Sequence, residues 1–153
     1  MLNKSDLKTI KNTTEEFFKK MTFEVNLEFL PEKEETIPID LKTEDPQILI
    51  GEGGQTLAEI QHLLKSILRR KIKEPFYIDF DINDYKKKKR EYLKELASSA
   101  ADEVVFSKKE KQLASMPAYE RRIIHMELAD RQDVISESIG QEPERRIIIR
   151  PYS

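Results

Sequence analysis

The chain has 153 residues, of which 38% are hydrophobic and 37% are charged, and its formal net charge at pH 7 is −2. This length fits one ordinary domain or two small ones. Because the chain has no cysteine, disulfides and thiolate metal sites are excluded and a reducing, cytoplasmic location is expected. The sequence shows neither a secretory signal nor the ~18 consecutive apolar residues of a membrane span, so we expect no membrane insertion.

The charges are unevenly distributed along the chain. Residues 1–83 carry 12 Lys and Arg against 16 Asp and Glu, whereas residues 84–153 carry 15 against 13. The acidic total argues against a uniformly basic nucleic-acid-binding surface. The asymmetry predicts that any surface that neutralises a phosphate backbone is local and lies mainly in the second half.

Helical and strand periods alternate through the first half of the chain. Residues 4–20 have the apolar spacing of an amphipathic helix. Strict alternation in residues 23–29 and 37–41 predicts the two strands of a hairpin. A short helix at 45–50, opened by an Asp-Pro pair, is followed by glycines and a long helix, and alternation in residues 76–82 predicts a third strand. The predicted order is αββααβ.

A second unit is predicted from residue 84. Its elements are a charged helix near 84–106, a strand near 110–114, a helix near 117–129, and strands near 133–138 and 145–150. In the charged helix, Tyr85, Tyr92, Leu96, Ala100 and Val104 are expected to face inward. The whole chain is therefore predicted to be α+β, with domains at 1–83 and 84–153.

A glycine-rich loop joins the two predicted helices of the first half, and we call residues 51–54 the glycine loop. Glycines at both ends can adopt positive φ and let another backbone approach closely. The helix that begins near Gln55 points its free N–H groups and positive dipole end at the loop. Phosphate oxygens are the natural ligands of such a loop, and a tight turn without a ligand is the alternative.

The predicted helix at 117–129 carries an Arg-x-x-x-His pair. Arg121 and His125 are four residues apart and therefore share a helix face, which we expect to be exposed while Ile124 and Leu128 anchor the helix. A guanidinium fork and an imidazole N–H can both donate to phosphate. A solvated helix face without a ligand is the alternative.

The glycine loop and its surroundings resemble the type II KH family. The stretch Ile50-Gly51-Glu52-Gly53-Gly54 matches the Ile-Gly-x-x-Gly signature of that family, after a hairpin and between two helices. The resemblance implies an αββααβ fold whose loop clamps about four unpaired nucleotides beside an apolar groove. The nucleic-acid contacts implied in this unit are Ile50, Gly51, Glu52, Gly53, Gly54 and Gln55.

The two middle positions of the glycine loop depart from the family pattern. They usually include a Lys or Arg, and here they are Glu52 and Gly53. A carboxylate repels phosphate, so an interaction scaffold, in which the first unit dimerises and RNA binding is weak, stays open as the alternative function.

The second unit resembles the R-three-H family, which is named for its Arg-x-x-x-His spacing and binds single-stranded nucleic acid through these two positions. The resemblance rests on residues 116–125 and on residues 140–149, which are similar to the strand that closes such a domain. It implies a small α/β domain. The nucleic-acid contacts predicted in this unit are Arg121, Arg122, His125, Arg145 and Arg146.

A KH unit followed directly by an R-three-H unit resembles the bacterial Jag family, also called KhpB or EloR, over essentially the whole chain. The resemblance implies a regulator that binds single-stranded RNA, with single-stranded DNA as an open alternative, and that is linked to cell-envelope growth. It also implies pairing with a second KH-domain protein or self-association. Many members carry a further N-terminal Jag domain, of which this sequence shows none.

The sequence lacks the common catalytic patterns. It has no His-Glu-x-x-His, no phosphate-loop lysine and no Gly-x-Ser-x-Gly. A carboxylate pair among the 29 acidic residues is the open alternative. We therefore expect no enzymatic activity, no metal and no cofactor.

Overall fold

A computed structural model describes residues 2–152 of the chain. The chain forms two compact units that divide inside one long helix, between Lys86 and Lys87. The sequence predicted a boundary slightly earlier, between residues 83 and 84. Within the described residues, no helix is both long and apolar enough to cross a membrane.

The first unit has the order αββααβ. Its elements are α1 (Lys4–Lys20), β1 (Asn26–Phe29), β2 (Thr36–Lys42), α2 (Pro46–Ile50), a 3-10 turn (Glu52–Gly54), α3 (Gln55–Arg69) and β3 (Tyr77–Ile82). This is the predicted order, and α1 has the predicted bounds. Strand β1 begins at Asn26, later than the predicted start at residue 23, because the side-chain alternation begins before β1 pairs with β2.

Helix α1 begins with a capping box. The Asn3 side chain accepts from the Asp6 backbone N–H at 2.8 Å, and the Asp6 carboxylate accepts from the Asn3 N–H at 3.4 Å. These two bonds satisfy N–H groups that the helix itself leaves unpaired. Farther along, the buried Phe18 ring stacks on Phe80 of β3 at 5.5 Å between centroids, which fixes α1 against the sheet.

The three strands form one sheet in the order β1-β2-β3. Strand β2 pairs antiparallel with β1 and parallel with β3. One face of the sheet is apolar and packs with α1 and α3 in a common core. The buried residues that the sheet and the two helices contribute to this core are Ile10, Phe18, Ile37, Ile39, Leu41, Leu57, Ile60, Leu64, Leu68, Ile78, Phe80 and Ile82.

Side chains occupy the open edge of β3. In a parallel strand, alternate N–H groups point away from the partner strand. Of these, the Phe80 N–H donates to the Gln61 side-chain oxygen at 3.1 Å, and the Ile82 N–H donates to the Asp81 carboxylate at 2.8 Å. Gln61 also accepts from Lys86 Nζ at 2.9 Å. These backbone donors are thus satisfied without a fourth strand.

The second unit contains most of α4 (Tyr85–Ser107) and then β4 (Lys111–Gln112), α5 (Ala118–Leu128), β5 (Val134–Ile139) and β6 (Arg146–Pro151). Strand β6 lies in the middle of a sheet of order β4-β6-β5 and pairs antiparallel with both neighbours. The core of this unit contains buried residues of both helices, of the sheet and of the segment between β4 and α5. They are Leu93, Ala97, Ala100, Ala101, Val104, Leu113, Met116, Ile124, Leu128, Val134, Ile147 and Ile149.

The inward face of α4 differs from the predicted one. Ala100 and Val104 are buried as expected, but Tyr92 is 56% exposed and its neighbour Leu93 is buried instead. Tyr85 packs against the core of the first unit. The prediction was wrong at Tyr92 because it began the apolar stripe on aromatic residues, whereas small alanines and Leu93 form the buried face.

Candidate nucleic-acid interface

The glycine loop needs glycine at both of its ends. Gly51 has φ 73° and ψ −179°, and a β-carbon there would lie 2.1 Å from Thr56 Oγ1. Gly54 has φ 81°, and its β-carbon would lie 2.9 Å from a ring carbon of Tyr85. Gly53 also has a positive φ, 61°, but a β-carbon there would meet nothing within 4 Å. The predicted glycines therefore form a tight, backbone-determined loop with an open middle.

The loop presents its middle residues to solvent without a cation. Glu52 and Gly53 are exposed, and Glu52 has no ion-pair partner among residues 2–152. Ile50 is half-buried against the core, and the Gln55 amide donates to Glu59 at 3.2 Å. The N-terminal end of α3 lacks a side-chain cap at this loop. Backbone dipoles thus favour an anion here, whereas the Glu52 carboxylate opposes it.

The outer face of the first sheet carries a line of carboxylates, which we call the acidic row. Glu28 lies opposite Asp40, and Asp40 lies opposite Asp81, on three adjacent strands. Burial, and then the negative charges of Asp81 and Asp84, raise the pKa of Asp40 above its ordinary value. Like charges directly opposite each other destabilise a sheet, and this face repels phosphate.

The Arg121 side chain is buried, contrary to the expectation that it is exposed. Its Nη1 donates to the Met116 backbone oxygen at 2.6 Å, and its Nη2 donates to Glu142 Oε1 at 2.8 Å. Its side chain is only 8% exposed. A buried guanidinium needs such partners because leaving water is costly for a charge. Arg121 therefore connects α5 to the segment between β5 and β6, residues 140–145, which we call the β5–β6 turn.

The His125 imidazole is half-buried, and both of its nitrogens have partners. Nδ1 lies 2.8 Å from Ser136 Oγ, and Nε2 lies 3.1 Å from Ser138 Oγ. Burial, and then the positive charge of Arg121, lower the pKa of His125 below its ordinary value. The ring is therefore mainly neutral at pH 7, and the expectation of an exposed histidine face is wrong. Ile124 and Leu128 anchor α5 as predicted.

A buried carboxylate precedes Arg121. Glu120 is 4% exposed and lies on α5 next to the motif. Its Oε1 accepts from the Tyr119 hydroxyl at 3.3 Å and lies 3.6 Å from Lys89 Nζ of α4. This contact holds the first turn of α5 to α4, and the sequence analysis did not identify it.

The remaining predicted cations are Arg122 on α5, Arg145 in the β5–β6 turn and Arg146 at the start of β6. Arg122 is exposed and has no hydrogen-bond or ion-pair partner within residues 2–152. Arg145 donates from Nη1 to the Gly140 oxygen at 3.1 Å, and Arg146 donates from Nε to the Glu144 oxygen at 3.4 Å. Because the Arg121–Glu142 ion pair brings the β5–β6 turn to α5, arginines from both elements are in one region of the second unit.

Sequence reasoning missed Ser136, Ser138 and Glu142. The two serines alternate on β5 on the same face as the buried Val134, so two polar residues on an otherwise apolar face were the available signal. Glu142 gave no such signal, because its partner lies 21 residues away in sequence and only the tertiary fold brings them together.

Comparison with known proteins identifies the second unit. The R-three-H domain family matches residues 91–151, which include α5, β5 and β6. The match confirms the predicted R-three-H domain.

Similarity to curated proteins extends beyond this domain. The chain is 34% identical over 129 residues to the RNA-binding protein KhpB of Clostridium symbiosum, an alignment that covers 84% of this chain and 58% of that protein. The chain is 32% identical over 120 residues to KhpB of Bacillus subtilis, an alignment that covers 77% of this chain and 58% of that protein. It is also 32% identical over 111 residues to KhpB of Lactiplantibacillus plantarum, which covers 72% of this chain and 34% of that protein. The chain thus spans less than two thirds of the length of these relatives.

The first of these alignments is about twice as long as the R-three-H match, so the similarity reaches into the first unit. Similarity over most of the chain, together with the R-three-H domain, shows that the chain belongs to the bacterial Jag family, which is also called the KhpB family.

Proposed function

We propose that the chain binds single-stranded RNA without catalysing a reaction, mainly through α5 and the β5–β6 turn. The R-three-H match and the similarity to proteins named RNA-binding proteins support this proposal. The observation that carries it is a group of arginines, of which Arg121 and Arg122 come from α5, Arg145 from the β5–β6 turn and Arg146 from the start of β6.

Arg122 is the arginine most accessible to phosphate in this proposal, because it is exposed and has no partner within the described chain. Arg145 and Arg146 each use one donor on a backbone oxygen. A guanidinium has five N–H donors, so both arginines keep donors for phosphate. Contacts of this kind position a strand but read no bases. We therefore propose binding with little sequence preference at this surface.

The first unit, in this proposal, is a type II KH domain over residues 1–83 that adds a weaker contact at the glycine loop. Its αββααβ order, the positive φ of the three loop glycines and the uncapped start of α3 support the assignment. Glu52 weakens the contact because it places a carboxylate where phosphate would approach.

A second candidate function is a protein scaffold in which the first unit pairs with another KH-domain protein or with itself. The acidic row favours it, since this face repels RNA and suits a basic protein surface. By family resemblance, we propose under either candidate function that the protein is a cytoplasmic regulator linked to cell-envelope growth.

A titration of labelled single-stranded RNA at two salt concentrations tests the RNA proposal. Arg122→Ala should weaken binding and flatten the plot of log affinity against log salt by about 0.7, the value for one lost phosphate contact on a single strand. Lys109→Ala is the matched control, because Lys109 is an exposed cation outside α5 and the β5–β6 turn. Parallel titrations with single-stranded DNA of the same sequence and with a duplex RNA measure the preference for single-stranded RNA over these two ligands.

Equal affinities and slopes for wild type, Arg122→Ala and Lys109→Ala would rule out this arginine surface as the RNA site. If wild type binds no RNA at low salt, the scaffold becomes the better proposal. Light scattering at high micromolar concentration then measures self-association, and a strict monomer excludes the homodimer.

A further inference from the structure

The Arg121–Glu142 ion pair is unequal in its exposure. The Arg121 side chain is 8% exposed, whereas the Glu142 side chain is 59% exposed. On the inner side, Arg121 Nη1 is held by the Met116 oxygen at 2.6 Å, and on the outer side Nη2 is held by Glu142 Oε1 at 2.8 Å. Glu142 is therefore the solvent-facing partner of a guanidinium that is otherwise fixed.

The β5–β6 turn can release this carboxylate at little cost to the core. Residues 140–144 are all exposed, and Arg145 is half-buried. The turn is held together internally by the Glu144 N–H to Gln141 oxygen bond at 2.9 Å and the Arg145 to Gly140 oxygen bond at 3.1 Å. Neither bond involves the Glu142 side chain, so its rotation into solvent leaves both intact.

A phosphate oxygen and a carboxylate oxygen offer Arg121 the same chemistry. Both are anionic acceptors that a guanidinium binds through charge-assisted hydrogen bonds. Arg122, Arg145 and Arg146 increase the local attraction for a phosphate, whereas Glu142 and Glu144 oppose it. A phosphate that takes the position of Glu142 keeps the buried charge of Arg121 paired.

We propose that Glu142 is a built-in competitor for nucleic-acid phosphate, and that a backbone phosphate displaces its carboxylate from Arg121 when the second unit binds RNA. This inference rests on the proposed RNA-binding function. Glu142 thereby limits affinity. It also makes the Arg121 contact an exchange of one anion for another, so that this contact releases no additional counterion.

Glu142→Gln tests the inference, with Glu144→Gln as the control. Both variants remove one negative charge from the same exposed turn, but only Glu142 is the partner of Arg121. Glu142→Gln should tighten binding of a short single-stranded RNA by about fivefold, the factor for about 1 kcal/mol of charged hydrogen bond. It should also steepen the salt slope by about 0.7, because Arg121 then makes a net phosphate contact.

Urea unfolding of both variants checks that the fold persists. If Glu142→Gln does not fold, Glu142→Asp replaces it, since the shorter side chain withdraws the carboxylate from Arg121 at unchanged net charge. Glu142→Asp should then bind more tightly than wild type.

Equal gains for Glu142→Gln and Glu144→Gln would overturn the inference, because net charge alone would account for them. No gain for any folded Glu142 variant would overturn it as well. In both cases an Arg122-dependent wild-type affinity would leave the proposed RNA binding standing. Absence of RNA binding by the wild type at low salt, in contrast, would refute the proposed function itself.

Discussion

The two candidate phosphate sites of this chain differ in what they lack. The glycine loop of the first unit is open to solvent but presents a carboxylate, Glu52. The Arg121–His125 pair of the second unit has the right donors, but both side chains already have partners within the unit. Arg121 donates to Met116 and Glu142. The His125 ring nitrogens lie within hydrogen-bond distance of Ser136 and Ser138. Accessibility and charge are therefore separate requirements for a phosphate site. A sequence motif reports the chemistry of its residues and not their availability.

The largest expected effect breaks the inward arrangement at Arg121. Arg121→Ala leaves the Met116 oxygen without its donor and the β5–β6 turn without its contact to α5. We expect a loss of about 3 kcal/mol in the free energy of unfolding, since an unsatisfied polar group and a lost charged hydrogen bond both contribute. Arg122→Ala, the exposed neighbour, should change it by less than about 0.5 kcal/mol. Urea unfolding measures both, and equal effects would contradict the inward arrangement.

The next effect concerns the backbone of the open loop. Gly51→Ala places a β-carbon 2.1 Å from Thr56 Oγ1 at a φ and ψ that side chains avoid, so we expect a loss of about 2 kcal/mol or more. Gly53→Ala meets open space and carries only the cost of positive φ, about 1 kcal/mol. Thermal unfolding of the two variants measures the difference. A larger loss for Gly53→Ala would show that the loop has another conformation.

A smaller effect follows from the lowered pKa of His125. In the pH range below about 6.5, the unfolded chain binds more protons at this site than the folded chain does. The contribution to stability is therefore fully present above about pH 6.5 and is lost as the pH falls. His125→Gln should flatten this dependence between about pH 7.5 and pH 5.5, and His62→Gln, which removes an exposed imidazole of α3, is the control. Urea midpoints across that range measure it, and identical pH profiles for wild type and His125→Gln would argue against a perturbed pKa.

The smallest expected effect supplies the charge that the glycine loop lacks. Glu52→Lys should tighten RNA binding by about two- to fivefold and steepen the salt slope by about 0.7 for each new phosphate contact. Glu15→Lys makes the same charge change at an exposed position of α1 and serves as the control. If both variants gain equally in an anisotropy titration, the loop is not in contact with RNA.

Local periodicity was sufficient to predict most elements of the fold. Helix α1, the αββααβ order and the anchoring of α5 by Ile124 and Leu128 all follow from spacing that a short stretch of sequence contains. The glycines of the loop were also visible, because positive φ is a local requirement.

The inward arrangement at α5 was not predictable in the same way. The exposure of a charged side chain depends on whether the fold brings it a partner, and Arg121 and His125 find theirs on β5 and the β5–β6 turn. The Tyr92 error has a different cause. A helix whose buried face consists largely of alanine has a weak apolar period. The sequence prediction therefore followed a large exposed residue and placed the buried face one position too early at Tyr92.

The side-chain hydrogen bonds to the Phe80 and Ile82 N–H groups, which cap the open edge of β3, also bear on how copies of this chain can associate. Adding a strand to a sheet edge requires backbone donors that are free to pair with the incoming chain. Here Gln61 and Asp81 already hold the N–H groups of Phe80 and Ile82, so an added strand would have to displace both side chains. The cap thus disfavours edge-to-edge aggregation at β3 and directs any dimer of the first unit toward its helices or β1.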